Sequence, residues 1–206
     1  MVGEDTSVKV VIVTMDSHVA SATDRARLAL AKEIPGLQLN VHAASEFSAE
    51  PARLQNCLAD IADADIIVSM MLFLEEHFQP LLPALMARRD NCDAMVCAMS
   101  AGEVTKLTRM GKFDMSAPAS GPMALLKKLR GSKPKTESAG ASQMTMLRRI
   151  PKLLRFIPGA AQDVRAYFLT LQYWLAGSED NMANLVRSLV DRYADGPRRR
   201  LRGAIK

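Results

Sequence analysis

The sequence predicts a doubly wound α/β fold, flavodoxin-like or Rossmann-like, with a mostly parallel sheet and a C-terminal helical extension. Three observations predict it: four short apolar runs in the first half, helical spacing between them, and two amphipathic segments towards the end.

The apolar runs are Val8 to Met15, Leu37 to Ala43, Ala64 to Met71 and Ala94 to Met99. Each has strand length and is apolar almost throughout instead of alternating, the pattern of a strand buried on both faces of a parallel sheet. Such a sheet needs helices on both sides, and the intervening stretches supply them. Pro35-Gly36 stops the first helix. Ser48 is positioned to cap a second, with Pro51 in its first turn and Leu54, Cys57, Leu58 and Ile61 on one face. Within Phe73 to Arg89, Pro80 and Pro83 predict an irregular turn and then a short helix with Pro80 near its start. Ser100-Ala101-Gly102-Glu103 reads as a capping box opening the helix after the fourth strand, which Gly111 would end.

These readings place a sheet domain at 1–113. From 114 to 145 the composition shifts to Ser, Ala, Gly, Pro and Lys, predicting a flexible linker or insertion in which Met123 to Leu129 has the makings of a short helix. Residues 146–196 form the extension, expected to pack on the sheet domain. Val164, Tyr167, Phe168, Leu171, Trp174 and Leu175 share one helical face, and Gly177 ends that helix. Ser178 caps the next, which carries Met182, Leu185, Val186, Leu189, Val190 and Tyr193. The basic segment 197–206 reads as a connecting tail to further domains.

Composition narrows the class. Hydrophobic residues are 49% of the 206 and charged residues 24%, the balance of a packed globular domain. The longest apolar runs fall short of a membrane span, and the acidic, polar start is unlike a signal peptide, so a cytoplasmic protein is expected. Cys57, Cys92 and Cys97 form no Cys-x-x-Cys pair and read as reduced, buried thiols. The formal charge of +5 conceals a polarity: through Ser100 there are 7 Lys+Arg against 14 Asp+Glu, and beyond it 20 against 8. A basic half of this kind suits nucleic acid, an anionic membrane surface or an acidic protein partner, and charge alone does not choose among them.

Ligands of open α/β sheets bind beyond the carboxyl ends of the strands. There the sequence offers Asp16 and His18 after the first strand, Ser69, Glu75, Glu76 and His77 around the third, and Ser100 and Glu103 after the fourth. Carboxylates and imidazoles so gathered can bind a divalent cation or move protons; equally, each is a residue type that loops and helix starts select for local reasons. No Gly-x-Gly-x-x-Gly, Walker-type loop, His-Glu-x-x-His or Gly-x-Ser-x-Gly occurs, which argues against nucleotide binding and standard hydrolysis. Lys127, Lys128, Arg130, Arg148, Arg149, Lys152 and Arg155 are the candidate partner contacts. They lack the interleaved aromatics of a single-strand binder, so no nucleic acid is expected.

Four stretches are long and unusual in combination. They are Asp63 to Ser69 with Phe73-Leu74-Glu75-Glu76; Asp93 to Ser100 leading through Glu103-Val104 to Gly111-Lys112-Phe113; Arg149 to Gly159 running on into Ala161 to Arg165; and Leu171 to Asn181. On these stretches the chain resembles the N-terminal domain of the large, porphyrin-binding subunits of magnesium chelatases, from about Val8 to Tyr193. The resemblance implies a part in ATP-dependent insertion of Mg²⁺ into protoporphyrin IX in (bacterio)chlorophyll biosynthesis. It implies as partners the remaining domains of the same large subunit, two AAA+ type ATPase subunits, and protoporphyrin IX through the full-length protein. Mg²⁺, ATP and porphyrin belong to the full complex, and no cofactor, metal site or catalytic residue is expected in this chain. Family members are several times longer, which makes docking, access or regulation the expected role here; the alternative is an independent flavodoxin-like module binding a small molecule.

Overall fold

The computed structural model describes residues 7–117 and 149–202. Four parallel strands form its centre: β1 (Val8–Thr14), β2 (Leu37–Ala43), β3 (Ile66–Met70) and β4 (Ala94–Ala98). They lie in the order β2-β1-β3-β4, and β1 is paired on both sides, Val10 facing Leu39 in β2 and Ile66 in β3. The winding reverses between β1 and β3, so a crevice is expected beyond the carboxyl ends of those two strands.

Side chains leave the strands alternately towards two cores. Val8, Val10, Ile12, Ile66, Val68 and Met70 face a layer made by α1 (Ala20–Leu30), α6 (Ala160–Ala176) and α7 (Glu179–Tyr193). Val11, Val13, Ile67, Met95 and Cys97 face α2 (Pro51–Asp63) and α4 (Leu82–Arg88). Burial on both faces explains the continuous apolar runs, each full burial of a Val or Ile contributing about 1.5–3 kcal/mol.

The two C-terminal helices thus belong to the same core as the sheet. Ala22, Ala26 and Leu30 line the inner face of α1, and α7 lies alongside it. Their outer rims are joined by Arg187, whose guanidinium meets both oxygens of Glu33 at 2.8 Å, and by Arg25 with Glu179 at 2.8 Å. The turn between α6 and α7 follows the sequence reading: Gly177 takes a left-handed φ of 62° and donates to the Tyr173 carbonyl, and the Ser178 hydroxyl accepts from the Asn181 N–H.

Several local expectations need correction. The helix expected to start from Ser48 begins at Pro51 with Glu50 in the cap position, because a 3₁₀ turn (Ala44–Glu46) and the turn after it occupy the residues around Ser48. Phe73 to Arg89 holds two short helices, α3 (Glu75–Phe78) and α4, and Pro83 rather than Pro80 occupies the first turn of the second. The capping box does not form: α5 (Gly102–Thr105) is a single turn capped by Ala101, since the Ser100 hydroxyl is engaged elsewhere.

Gly111 ends no helix. It sits in a two-residue turn between β5 (Arg109–Met110) and β6 (Phe113–Asp114), a hairpin added antiparallel to β4 at the sheet edge. Gly111 has φ of 56° while Lys112 does not share the positive region, the arrangement of a type II′ turn, which favours glycine first.

The basic tail is also less detached than its composition suggests. Gly196–Leu201 forms a 3₁₀ helix, and Arg198 meets Asp65 at 3.2 Å and Asp93 at 3.1 Å beside the amino ends of β3 and β4. Arg202 donates to the carbonyls of Ala194 and Tyr193. Most of the expected linker, including the helix foreseen at Met123 to Leu129, lies outside the described residues.

Candidate functional site

At the end of β1 the chain turns through Asp16, whose carboxylate accepts the His18 backbone N–H at 3.0 Å and also pairs with the His18 ring at Nδ1. The backbone bond, then the ring, holds the Asp16 carboxyl below its usual range. The His18 ring stands edge-on to the indole of Trp174 on α6, centroids 5.6 Å apart. Asp16 and His18 are half-exposed, whereas Trp174 is buried. An imidazole held at Nδ1 by a carboxylate keeps Nε2 for an outside partner, the arrangement used to orient metal-binding and proton-accepting histidines.

The ends of β3 and β4 are stitched together. The Ser100 hydroxyl accepts from the Leu72 N–H at 3.0 Å and donates to the Ala98 carbonyl at 2.9 Å, and Ala101 N–H returns to the Leu72 carbonyl at 2.9 Å. Met71 and Met99, the first residues past the two strands, both take left-handed backbone conformations, with φ of 62° and 46°. Conformations of that kind cost about 1–3 kcal/mol each and persist only where surrounding bonds enforce them. Sequence reading missed both, because a methionine carries no signal for positive φ. Thr14, at the end of β1, is fully buried, and among the described residues its hydroxyl has no hydrogen-bond partner.

The remaining candidates disperse. Ser69 is fully buried within β3 on the face turned to α2 and α4, beside the Cys97 thiol. Glu75 and Glu76 stand exposed at the start of α3 next to Phe73 and Leu74, while His77 turns inward. Glu103 is exposed on α5. The crevice therefore brings together Asp16 and His18 with Trp174 behind them, plus Ser100 as a backbone stitch. Among the described residues, no group of three or more His, Cys, Asp or Glu side chains is placed to hold a metal ion.

Of the basic candidates, Lys127, Lys128, Arg130 and Arg148 lie outside the described residues. Arg149, Lys152 and Arg155 project to solvent from a helical turn, residues 149–154, and its exit. Ile150 and Leu154 root that turn in the α6–α7 core, and the Gln162 side chain donates to the carbonyls of Leu154, Arg155 and Ile157. The same segment leaves Leu153 59%, Phe156 83% and Ile157 44% exposed. Cations and apolar side chains thus share one fixed surface.

Two polar clusters went unread in the sequence. Along the outer strand β2, Asp60 of α2 meets Lys9 at 2.7 Å, His42 at 2.8 Å and Asn40 at 2.9 Å, flanking an open groove of about 560 Å³. Burial alone would raise the Asp60 carboxyl, but Lys9 and His42 bring it below its usual range. At the opposite edge Asp163 gathers Lys112, Arg192 and Tyr193. All three cysteines are reduced and buried, as expected, and burial pushes the thiols of Cys57 and Cys97 up to about 12.

Fold and site together define a doubly wound α/β module, one face of its sheet covered by a C-terminal helix pair. Residues 9–168 match a family model described as a domain of unknown function, DUF3479, and the chain belongs to that family. It is 51% identical over 186 residues to the H subunit of the magnesium chelatase of Rhodobacter capsulatus, and 49% over 185 residues to that of Cereibacter sphaeroides. It is 30% identical over 190 residues to the chloroplastic magnesium-chelatase subunit ChlH of Oryza sativa. Each likeness covers 90% of this chain but 14–16% of the relative, so the chain spans about a sixth of those proteins' length. No helix among the described residues is long and apolar enough to cross a membrane.

Proposed function

We propose that the chain is the N-terminal module of a magnesium-chelatase large subunit and serves ATP-dependent insertion of Mg²⁺ into protoporphyrin IX. Its part is docking, access or regulation; the insertion step belongs to the rest of the large subunit. The observation that carries this reading is the likeness to magnesium-chelatase H subunits along 90% of the chain, near half identity in two of them.

Insertion asks for a cleft that encloses a flat apolar macrocycle, strips water from Mg²⁺ and accepts two pyrrole protons, which requires converging carboxylates or imidazoles within apolar walls. Asp16 and His18 are a half-exposed pair at the sheet crevice, better suited to receiving or orienting a group than to enclosing one. Arg149, Lys152 and Arg155 offer fixed cations to an acidic surface, and the two AAA+ type ATPase subunits are partners of the assembly in this reading, with no surface of this chain assigned to them. The remaining domains of the same polypeptide, ATP, Mg²⁺ and the porphyrin complete the assembly, which works in the cytoplasm.

Reconstitution tests this. The isolated chain mixed with the two ATPase subunits, ATP, Mg²⁺ and protoporphyrin IX is expected to give no Mg-protoporphyrin, whereas the full-length large subunit turns over and a form lacking this module turns over less. Turnover by the isolated chain, or a truncated large subunit with unchanged rate and unchanged apparent affinity for every component, overturns the proposal. A change in Trp174 fluorescence on adding flavin or nucleotide, with none on adding porphyrin or ATPase subunits, would instead mark an independent small-molecule module.

A further inference from the structure

Two exposed surfaces of this chain are complementary to each other and sit at opposite ends of the sheet. The first follows β3, at the carboxyl ends of the strands, where Phe73 (53% exposed) and Leu74 (49%) stand beside the exposed carboxylates of Glu75 and Glu76. The second is the segment ending in Arg155-Phe156-Ile157, where Leu153, Phe156 and Ile157 are exposed beside Arg149, Lys152 and Arg155. The Arg155 guanidinium lies 5.8 Å from the centre of the Phe156 ring, so charge and apolar surface are presented as one unit.

The placement of the second surface follows from hydrogen bonds. Gln162 in the first turn of α6 holds the carbonyls of Leu154, Arg155 and Ile157, and Asp163 in the same turn accepts the Lys112 N–H of the hairpin. That hairpin turn adjoins Ala94, the first residue of β4, and so marks the amino end of the sheet. At the other end of α6, Trp174 meets His18 beyond the carboxyl end of β1.

We propose that the occupant of the basic surface is the acidic surface of a second copy of this chain. Phe156 and Ile157 of one copy pack on Phe73 and Leu74 of the next, and Lys152 and Arg155 face Glu75 and Glu76. Single exposed apolar residues are ordinary, but two apolar pairs, each edged by one sign of charge and by opposite signs between them, form matched halves of an interface. Because the halves occupy opposite ends of the molecule, the contact is head-to-tail, and association continues past the dimer unless a ring closes. This inference rests on the two surfaces alone and stands or falls independently of the chelatase reading.

Sedimentation of the 206-residue chain decides it. In low salt the average mass is expected to climb with concentration beyond that of a dimer, and to fall back to the monomer in molar salt, where exposed charges are screened within about 3 Å. E75K/E76K and K152E/R155E are each expected to remain monomeric with unchanged circular dichroism. Mixed together they are matched at both contacts, the native pair and the pair with both signs reversed, and the average mass is expected to climb past the dimer again as chains of the two kinds alternate. A wild-type chain that stays monomeric in low salt at high concentration overturns the proposal; so does self-association that either double variant leaves intact, or a mixture that stays monomeric.

Discussion

The carboxylate of Asp163 accepts the backbone N–H of Lys112 at 3.0 Å, joining the first turn of a C-terminal helix to the hairpin that ends the sheet. The same carboxylate accepts from the Tyr193 hydroxyl at 3.0 Å and from Arg192 at 3.0 Å, so one side chain ties β5–β6, α6 and α7 together. Replacing it with Asn removes the charge from this convergence of donors. The expected loss is about 1.5–3 kcal/mol, read from urea unfolding. A loss within error would show that the hairpin is held without this carboxylate, as by the edge-to-face contact of Phe113 with Tyr167, centroids 5.6 Å apart.

Gly111 is fitted to that carboxylate. A Cβ built there would come within 2.8 Å of Asp163 Oδ2, and the residue has φ of 56°. Gly177 has a similar φ of 62°, and a Cβ built there meets, among the described residues, nothing nearer than the Trp174 carbonyl at 3.7 Å. Gly177→Ala is therefore expected to cost about 1–2 kcal/mol, from backbone handedness. Gly111→Ala should cost more, with the excess shrinking in an Asp163→Ala background. Equal costs for the two glycines in urea unfolding would dismiss the steric part.

Arg198 neutralises two carboxylates that are otherwise close together and largely covered, Asp65 and Asp93. Burial pushes the Asp65 carboxyl up, with Asp93 adding to that and the Lys9 N–H and Arg198 opposing it. Arg198→Ala is expected to destabilise by about 3–5 kcal/mol at neutral pH, the range for a covered pair deprived of one partner. Asp65 titrates higher in the fold than in the unfolded chain, so its contribution is present at low pH and lost as pH rises through the folded value. The variant should therefore recover stability on acidification, more steeply than wild type. Parallel pH profiles of the urea midpoint would contradict this.

The buried thiols set an alkaline limit. Cys57 and Cys97 are held neutral by burial, their values pushed from 9.0 up to about 12. A raised folded value contributes stability below the unfolded value, which is lost as pH climbs from 9 towards 12. Cys57→Ala should flatten part of that decline whatever its cost at neutral pH. In the native chain neither thiol should react with an aromatic disulfide at a rate faster than unfolding, and rapid labelling of both in the folded protein would refute the burial account.

His18 shields Trp174. The indole is 2% exposed, with the His18 ring edge against it. His18→Ala should shift tryptophan emission to the red and raise iodide quenching while leaving stability nearly unchanged, since His18 itself is half-exposed. Trp174 is the single tryptophan, so the readout is unambiguous. An unshifted spectrum would place the cover elsewhere.

Legibility followed the range of the forces. Gly177 and Ser178 were readable because capping acts within four residues, and the helices on either side repeat their apolar positions every turn. Ser100 misled because its hydroxyl answers a backbone group 28 residues away instead of the helix beginning beside it. Two-residue strands such as β5 and β6 carry no period at all. Of the crevice, the sequence offered eight polar residues, and the fold brought Asp16 and His18 together through a turn too short to announce itself.

By itself the sequence determined the parallel sheet and the helix pair, because burial on both faces of a strand, or on one stripe of a helix, writes a periodic record into the chain. Only the tertiary structure decided the Asp163 junction, the anchoring of Arg198 and the paired left-handed methionines. Each depends on groups far apart in sequence, from 28 residues between Leu72 and Ser100 beside the methionines to 105 between Asp93 and Arg198. No local pattern encodes such meetings; the loops that permit them are fixed only when the two cores close around the sheet.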